Sequence, residues 1–229
     1  MAKRLLYLLG GSAAFEVSAE AFVLAAGGAE ATIALLMQGG VKSQKYISEY
    51  TQPWIRRGVK RYHVIMPDEK GRLDFTVVTA QVREATGIFI GGGHTPTYHQ
   101  LFATEPIRSL LRERYEQGLP LAGCSAGALI APDLCVIGPE ENEDRASLTI
   151  LPGLGLISNI LLGVHFSERN TLHNMLEAMA ISKTPKGLGI DESACVVFED
   201  GSFKGMLGRT VYEIVMTDFE NKNYKITPL

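Results

Sequence analysis

Residues 118–132, GLPLAGCSAGALIAP, decide how this chain is to be read. A small apolar run leads into Gly123-Cys124-Ser125-Ala126-Gly127, and a second small-residue run follows. Gly-x-Ser-x-Gly between a strand pattern and a helix pattern is the nucleophile elbow of α/β enzymes. The turn from strand to helix is tight, so the residues two away from the serine on either side must carry little or no side chain. The helix that follows aims its first N–H groups at the point where an oxyanion develops. The glycines lie symmetrically about Ser125, which makes Ser125 the nucleophile and Cys124 a small hydrophobe packed at the strand end. A plain Gly/Ser turn without chemistry is the opposing reading, and the strand and helix patterns on either side favour the elbow.

Upstream, apolar runs at 4–11, 31–37, 61–67 and 87–93 read as strands. Segments 13–28, 43–58, 77–87 and 98–118 carry helical spacing between them, with Gly27-Gly28 as a stop, Pro53 as a kink and Pro106 as a late start. Strand alternating with helix predicts an α/β fold, a three-layer αβα arrangement around a mostly parallel central sheet. Beyond residue 133 the pattern loosens. Residues 138–155 read as a charged loop and a Pro/Gly turn, and 167–180 as a helix capped by Ser167 with Leu172, Met175, Leu176 and Met179 on its core stripe. Residues 187–216 read as short strands and hairpins turned by EDGS. No linker or repeat interrupts residues 1–229, which predicts a single domain.

A net charge of −3, with no dense Lys/Arg run, argues against nucleic acid as a partner. No stretch approaches the roughly 20 apolar residues of a membrane span, and the short run at 5–9 ends in two glycines as a strand would. Three cysteines without CxxC spacing suggest neither a zinc site nor disulfides, and fit a reducing cytoplasm. No metal or cofactor is expected.

A serine nucleophile needs a base, and the chain holds five histidines. His63 falls in a predicted strand, and His99 and His173 on helices. His94 follows a glycine cluster and could line a pocket. His165, in LLGVHFSER, stands where open α/β sheets place functional groups, just past an apolar run. Spacing alone leaves the base open. The cluster Gly91-Gly92-Gly93 ends a strand, and its N–H groups could join that of Ala126 in an oxyanion hole. It lacks the Lys-Ser/Thr of a P-loop and the glycine spacing of a dinucleotide site.

Taken together and in order, LLGG, GIFIGGGHTPTYHQLF, GCSAGA, PGLGLISNILLGVHFSERNTL and GIDESACVVFEDG resemble the serine peptidase family of cyanophycinase and aspartyl dipeptidase (peptidase E), family S51, over residues 4–208. The later blocks resemble the cyanophycinase branch. The resemblance implies a class I glutamine amidotransferase-like fold, no metal, and hydrolysis of small peptides at α- or β-linked aspartyl residues, with a homodimer as the candidate assembly. It makes Ser125 the nucleophile, His165 the base and Glu192 the orienting acid, with Glu143 as the runner-up acid. Gly92, Gly93 and Ala126 become the oxyanion hole, and His94 and Arg169 the substrate contacts. Two departures fall where substrate would be recognised. Thr171 and Asn174 stand where cyanophycinases carry further arginines, and His94 stands where the family usually has Asn or Gln. The rival readings are a glutamine amidotransferase-like enzyme, which wants a cysteine at the elbow centre, and a non-catalytic binding protein with its Ser–His pair broken.

Overall fold

Side chains alternating on short apolar strands build the central layer. The computed structural model describes residues 3–40, 43–142 and 145–229. β1 (Leu5–Leu9) sends Leu6 and Leu8 to one side and Tyr7 and Leu9 to the other. α1 (Phe15–Ala25) follows and closes at Gly27, whose φ of 112° only glycine adopts freely. β2 (Thr32–Leu36) is buried along its whole length, as an interior parallel strand requires. α2 (Ser43–Ile55) runs through Pro53 into its last turn. β3 (Arg61–Ile65), α3 (Phe75–Glu84) and β4 (Gly87–Ile90) continue the alternation. Asp74 caps α3 by accepting the N–H groups of Thr76 and Val77, so that helix starts before its apolar pattern does. The helix expected over 98–118 is two helices, α4 (Thr95–Phe102) and α5 (Ile107–Glu116), since Pro106 has no N–H to continue the ladder. β5 (Leu121–Cys124) then enters α6 (Ala126–Leu129).

The later chain departs from simple alternation. β6 (Leu134–Ile137) and β7 (Thr149–Pro152) pair antiparallel, so the charged loop expected over 138–155 holds a strand near its end. β8 (Leu161–Val164) is fully buried. α7 (Leu172–Ser182) starts later than the predicted cap, because Asn170 at φ 50° interrupts helical geometry after Ser167, whose N–H goes to the Asp191 carboxylate at 3.0 Å. Its Met175 and Met179 are buried, and Leu172 and Leu176 pack against the same cluster. β9 (Lys186–Ile190), β10 (Ala194–Glu199), β11 (Ser202–Gly208), β12 (Val211–Asp218) and β13 (Asn223–Pro228) follow. Asp200 and Gly201, both at positive φ, turn β10 into β11 as EDGS predicts.

A seven-stranded sheet has the order β11-β10-β1-β5-β4-β2-β3, parallel from β1 to β3, with β10 antiparallel to β1. Core residues of α1 and α2 pack on one face, and those of α3, α4, α5 and α6 on the other. The expectation of a mostly parallel central sheet between helical layers describes this part. It needs correcting for β8 and β9, which pair with each other in a second, four-stranded sheet ordered β13-β12-β9-β8. Leu162, Val164, Leu188 and Ile190 of that sheet share one core with Ala126 and Ala128 of α6. Gly10 joins the two sheets: its N–H donates to Ala194 O at 3.0 Å and its carbonyl accepts the His165 N–H at 3.2 Å. Among the described residues no helix is long and apolar enough to cross a membrane.

Candidate active site

Ser125 sits between β5 and α6 with φ 51° and ψ −112°, a region that costs an L-residue about 1–3 kcal/mol. Its N–H is tied to Leu9 O at 3.0 Å, while the Gly127 N–H is tied to Gly91 O at 3.1 Å. The flanking glycines are sterically required. A Cβ on Gly123 would lie 2.4 Å from Gly127 O, and one on Gly127 would lie 2.3 Å from Ile90 O. Cys124 is 2% exposed and packs in the core cluster of Tyr7, Leu9 and Cys195. Burial pushes its thiol well above the ordinary range, so it offers no thiolate nucleophile.

His165 follows β8 directly, also at positive φ (47°), and its imidazole reaches across to the elbow. Ser125 Oγ and His165 Nε2 are 2.8 Å apart, and His165 Nδ1 and Glu192 Oε1 are 2.8 Å apart. Glu192 lies in the turn by which the chain leaves β9 and enters β10, passing from one sheet to the other. Burial, and the positive charge of Arg169, hold the His165 pKa below its ordinary value, against the opposing pull of Glu192. The imidazole is therefore neutral near pH 7 and able to accept a proton. The Glu192 side chain is 44% exposed, and that of His165 only 10%.

Of the other predicted site residues, some converge here and others do not. Arg169 lines both clefts that meet at Ser125 and His165, and no acidic side chain of the described residues pairs with it. Among the described residues, no protein acceptor takes the N–H of Ala126 or that of Gly93. Gly92 requires a correction, because its N–H already donates to Tyr50 Oη at 2.6 Å. His94 also departs from expectation. Its Nδ1 is 2.9 Å from Thr97 Oγ1 and its Nε2 is 3.2 Å from Glu141 O, and it lines neither cleft at Ser125. The position is N-cap to α4, and the ring is held down by the loop after β6. Glu143 lies outside the described residues. Within the same acidic loop, the Glu141 carboxylate takes the Thr95 N–H at 2.7 Å rather than approaching His165.

Several residues of the site carried no sequence signal of their own. Gly11 packs under the imidazole: a Cβ there would lie 3.0 Å from His165 Cε1 and 3.1 Å from the Glu192 Cβ. The Glu168 carboxylate accepts the Glu192 N–H at 3.2 and 3.3 Å, while Asp191 accepts the Ser167 N–H, so the two loops hold each other reciprocally. The block GIDES signals Asp191 together with Glu192, but nothing in it identifies the tie to Glu168. One cleft beside Ser125 is lined by Leu129, Val136, Glu140, Glu141, Thr171 and Asn174 among others, so the two positions where cyanophycinases carry further arginines both line it. The other is aromatic and polar, with Phe15, Gln38, Tyr46, Glu49 and Tyr50.

The fold is shared with solved peptidases. A peptidase from an acI-B1 Actinobacterium superposes with a TM-score of 0.67 at 19% identity, covering 91% of this chain and 89% of its own, a likeness of fold. The cyanophycinase of Trichormus variabilis is 27% identical over 193 residues, 83% of this chain and 65% of that protein. The cyanophycinase of Synechococcus elongatus is 29% identical over 199 residues, 85% of this chain and 61% of that protein. The chain thus spans less than two thirds of the length of these relatives. The sequence profile of peptidase family S51 matches residues 8–206, from the middle of β1 into β11, and so takes in the elbow, the β8 turn and the crossing turn alike. The chain belongs to peptidase family S51.

Proposed function

We propose that this protein is a serine peptidase that hydrolyses small peptides at aspartyl residues through an acyl-enzyme. The observation that carries the reading is the continuous line Ser125 Oγ–His165–Glu192, with 2.8 Å at each link. A non-catalytic relative would not need that line, and an amidotransferase would need a cysteine where Ser125 stands. We read the layered fold as class I glutamine amidotransferase-like, with serine replacing the cysteine. The three buried, unpaired cysteines suit a reducing compartment, so we place the protein in the cytoplasm.

In this mechanism, Ser125 Oγ attacks the scissile carbonyl as His165 Nε2 takes its proton. Glu192 accepts the Nδ1–H, which keeps Nε2 unprotonated and faces the imidazolium once it forms. The Ala126 N–H and Gly93 N–H receive the developing oxyanion. His165 then gives its proton to the leaving amine, the C–N bond breaks, and a water activated by the same imidazole releases the acyl group. Arg169, which pairs with no acidic side chain among the described residues, is suited to a substrate carboxylate at the junction of the two clefts. Thr171 and Asn174 give the first cleft neutral polar walls where a cyanophycinase has cations. This favours short aspartyl peptides over the polymer. The test is turnover of Asp-X, β-Asp-X and β-Asp-Arg dipeptides by the wild type and by Ser125→Ala. At least one should be cleaved by the wild type and none by the variant. Equal turnover by both would remove Ser125 from the mechanism.

A further inference from the structure

The N–H of Gly92 is engaged with Tyr50 Oη at 2.6 Å, and this contact places a second hydroxyl beside the elbow. A phenol oxygen that accepts one hydrogen bond still carries its own proton. Among the described residues no protein acceptor takes that proton. Tyr50 is 5% exposed, yet it lines the cleft that also holds Ser125, Gly92 and Gly93. A Cβ built on Gly92 would be 3.1 Å from Ser125 Cβ and 3.6 Å from Tyr50 Oη, so nucleophile and phenol flank the same bare α-carbon. The ring is held by Phe15 and Phe89, with centroids 4.7 and 5.5 Å away. Tyr98 Oη donates to Gly92 O at 3.1 Å and fixes the other end of that residue.

We propose that Tyr50 is a catalytic residue of the oxyanion hole, donating its O–H to the tetrahedral intermediate beside the Ala126 N–H. The inference rests on the reading of Ser125 as nucleophile. The Gly92 N–H then acts at one remove: it polarises the phenol, which makes the O–H a stronger donor. Burial keeps the phenol protonated well above the ordinary tyrosine range, so it donates without giving up its proton. No bond is made or broken at Tyr50. The alternative is that Tyr50 merely pegs Gly92 in place, as Tyr98 does from the other side.

A fluorophosphonate probe separates the two, because its P=O oxygen occupies the oxyanion position and no peptide substrate need be known. In Tyr50→Phe the ring and its packing remain and only the hydroxyl goes. Its maximal rate of phosphonylation should fall about 10²-fold, the worth of one oxyanion donor, with the half-saturating probe concentration within about twofold. Tyr98→Phe should slow the reaction by less than about fivefold, since it removes only a support of Gly92. A Tyr50→Phe rate within about threefold of wild type would overturn the proposal, judged against that same donor value. So would equal slowing in the two variants with a shared loss of thermal stability, which is the signature of a peg. Labelling of Ser125→Ala at the wild-type rate would be a different failure, one that removes the serine reading and this inference with it.

Discussion

The two halves of the site are built on different sheets by different means. Ser125 stands at the end of β5 in the seven-stranded sheet, and the restraints on its backbone lie within a few residues or on a neighbouring strand. His165 and Glu192 stand at the ends of β8 and β9 in the four-stranded sheet, and their alignment comes from contacts between sheets and between loops. Gly10 carries the cross-sheet hydrogen bonds, Gly11 leaves room for the imidazole, and Glu168 and Asp191 tie the two loops to each other. The serine is thus a local device, whereas the histidine and glutamate form a joint that depends on the docking of two sheets. Damage on the serine side should show first as lost stability or lost nucleophile. On the other side it should show as misalignment in a folded protein.

The largest effects should come from the reacting groups themselves. Ser125→Ala and His165→Ala are each expected to lower kcat by about 10⁴-fold or more, and the double variant little further, since the groups act as a unit. Additive losses measured on an aspartyl dipeptide would break the link between the halves. Glu192→Gln should lose about 10²–10⁴-fold in kcat with the fold intact, because an amide no longer selects the Nδ1–H tautomer as a carboxylate does.

Glycine variants sharpen the contrast between the halves. Gly127→Ala drives a methyl group against the Ile90 carbonyl and should destabilise the protein by about 3 kcal/mol or more in urea unfolding. Gly11→Ala meets only side-chain and Cα atoms at 3.0–3.1 Å, so it should unfold within about 1 kcal/mol of wild type while losing most of its kcat. If the two variants lost stability equally, the joint would be no more adjustable than the elbow.

Arg169 tests electrostatics across the joint. Its charge disfavours the imidazolium form of His165, so Arg169→Gln should move the acid limb of the kcat/KM profile to higher pH. In the wild type that limb should lie below the ordinary histidine value of 6.5, since lowered pKa means the imidazole is lost as a base only at more acidic pH. The same variant should raise KM for aspartyl peptides about 10-fold, the value of a hydrogen bond to a charged group. The smallest effect belongs to Cys124→Ala, expected to keep kcat within about twofold because the thiol is buried as a packing group in the core cluster of Tyr7, Leu9 and Cys195. Iodoacetamide should leave the native protein active.

The serine half was legible because its logic is short-range. An apolar run, two glycines about a serine and small residues beyond them can be read from five consecutive positions, and the same holds for the β strands at 5–9, 32–36, 61–65 and 87–90. The other half was named through resemblance, since a histidine and a glutamate 27 positions apart carry no spacing that requires them to meet. The loop at 138–155 hid β7, because a four-residue strand paired with one partner has no periodicity to show. Helix 98–118 was split by Pro106 at a point where the periodic apolar residues run on. The glycines before His94 suggest that it lines the cleft, and Thr97 and the Glu141 carbonyl, one of them remote in sequence, hold it away.

What the order of residues settles is local: the early strands, the tight turn about Ser125, and the exclusion of side chains at Gly123 and Gly127. Backbone sterics and the strand's period of two suffice for these. What the folded arrangement adds is distant: a second sheet that brings β8 and β9 against α6, a shared Gly10 that joins the sheets, and a phenol holding the amide expected to bind the oxyanion. Such contacts depend on how whole layers pack, and packing couples residues that no local pattern links. The stretch GLPLAGCSAGALIAP explains why a hydroxyl is exposed there, and the second sheet explains why an imidazole is waiting for it.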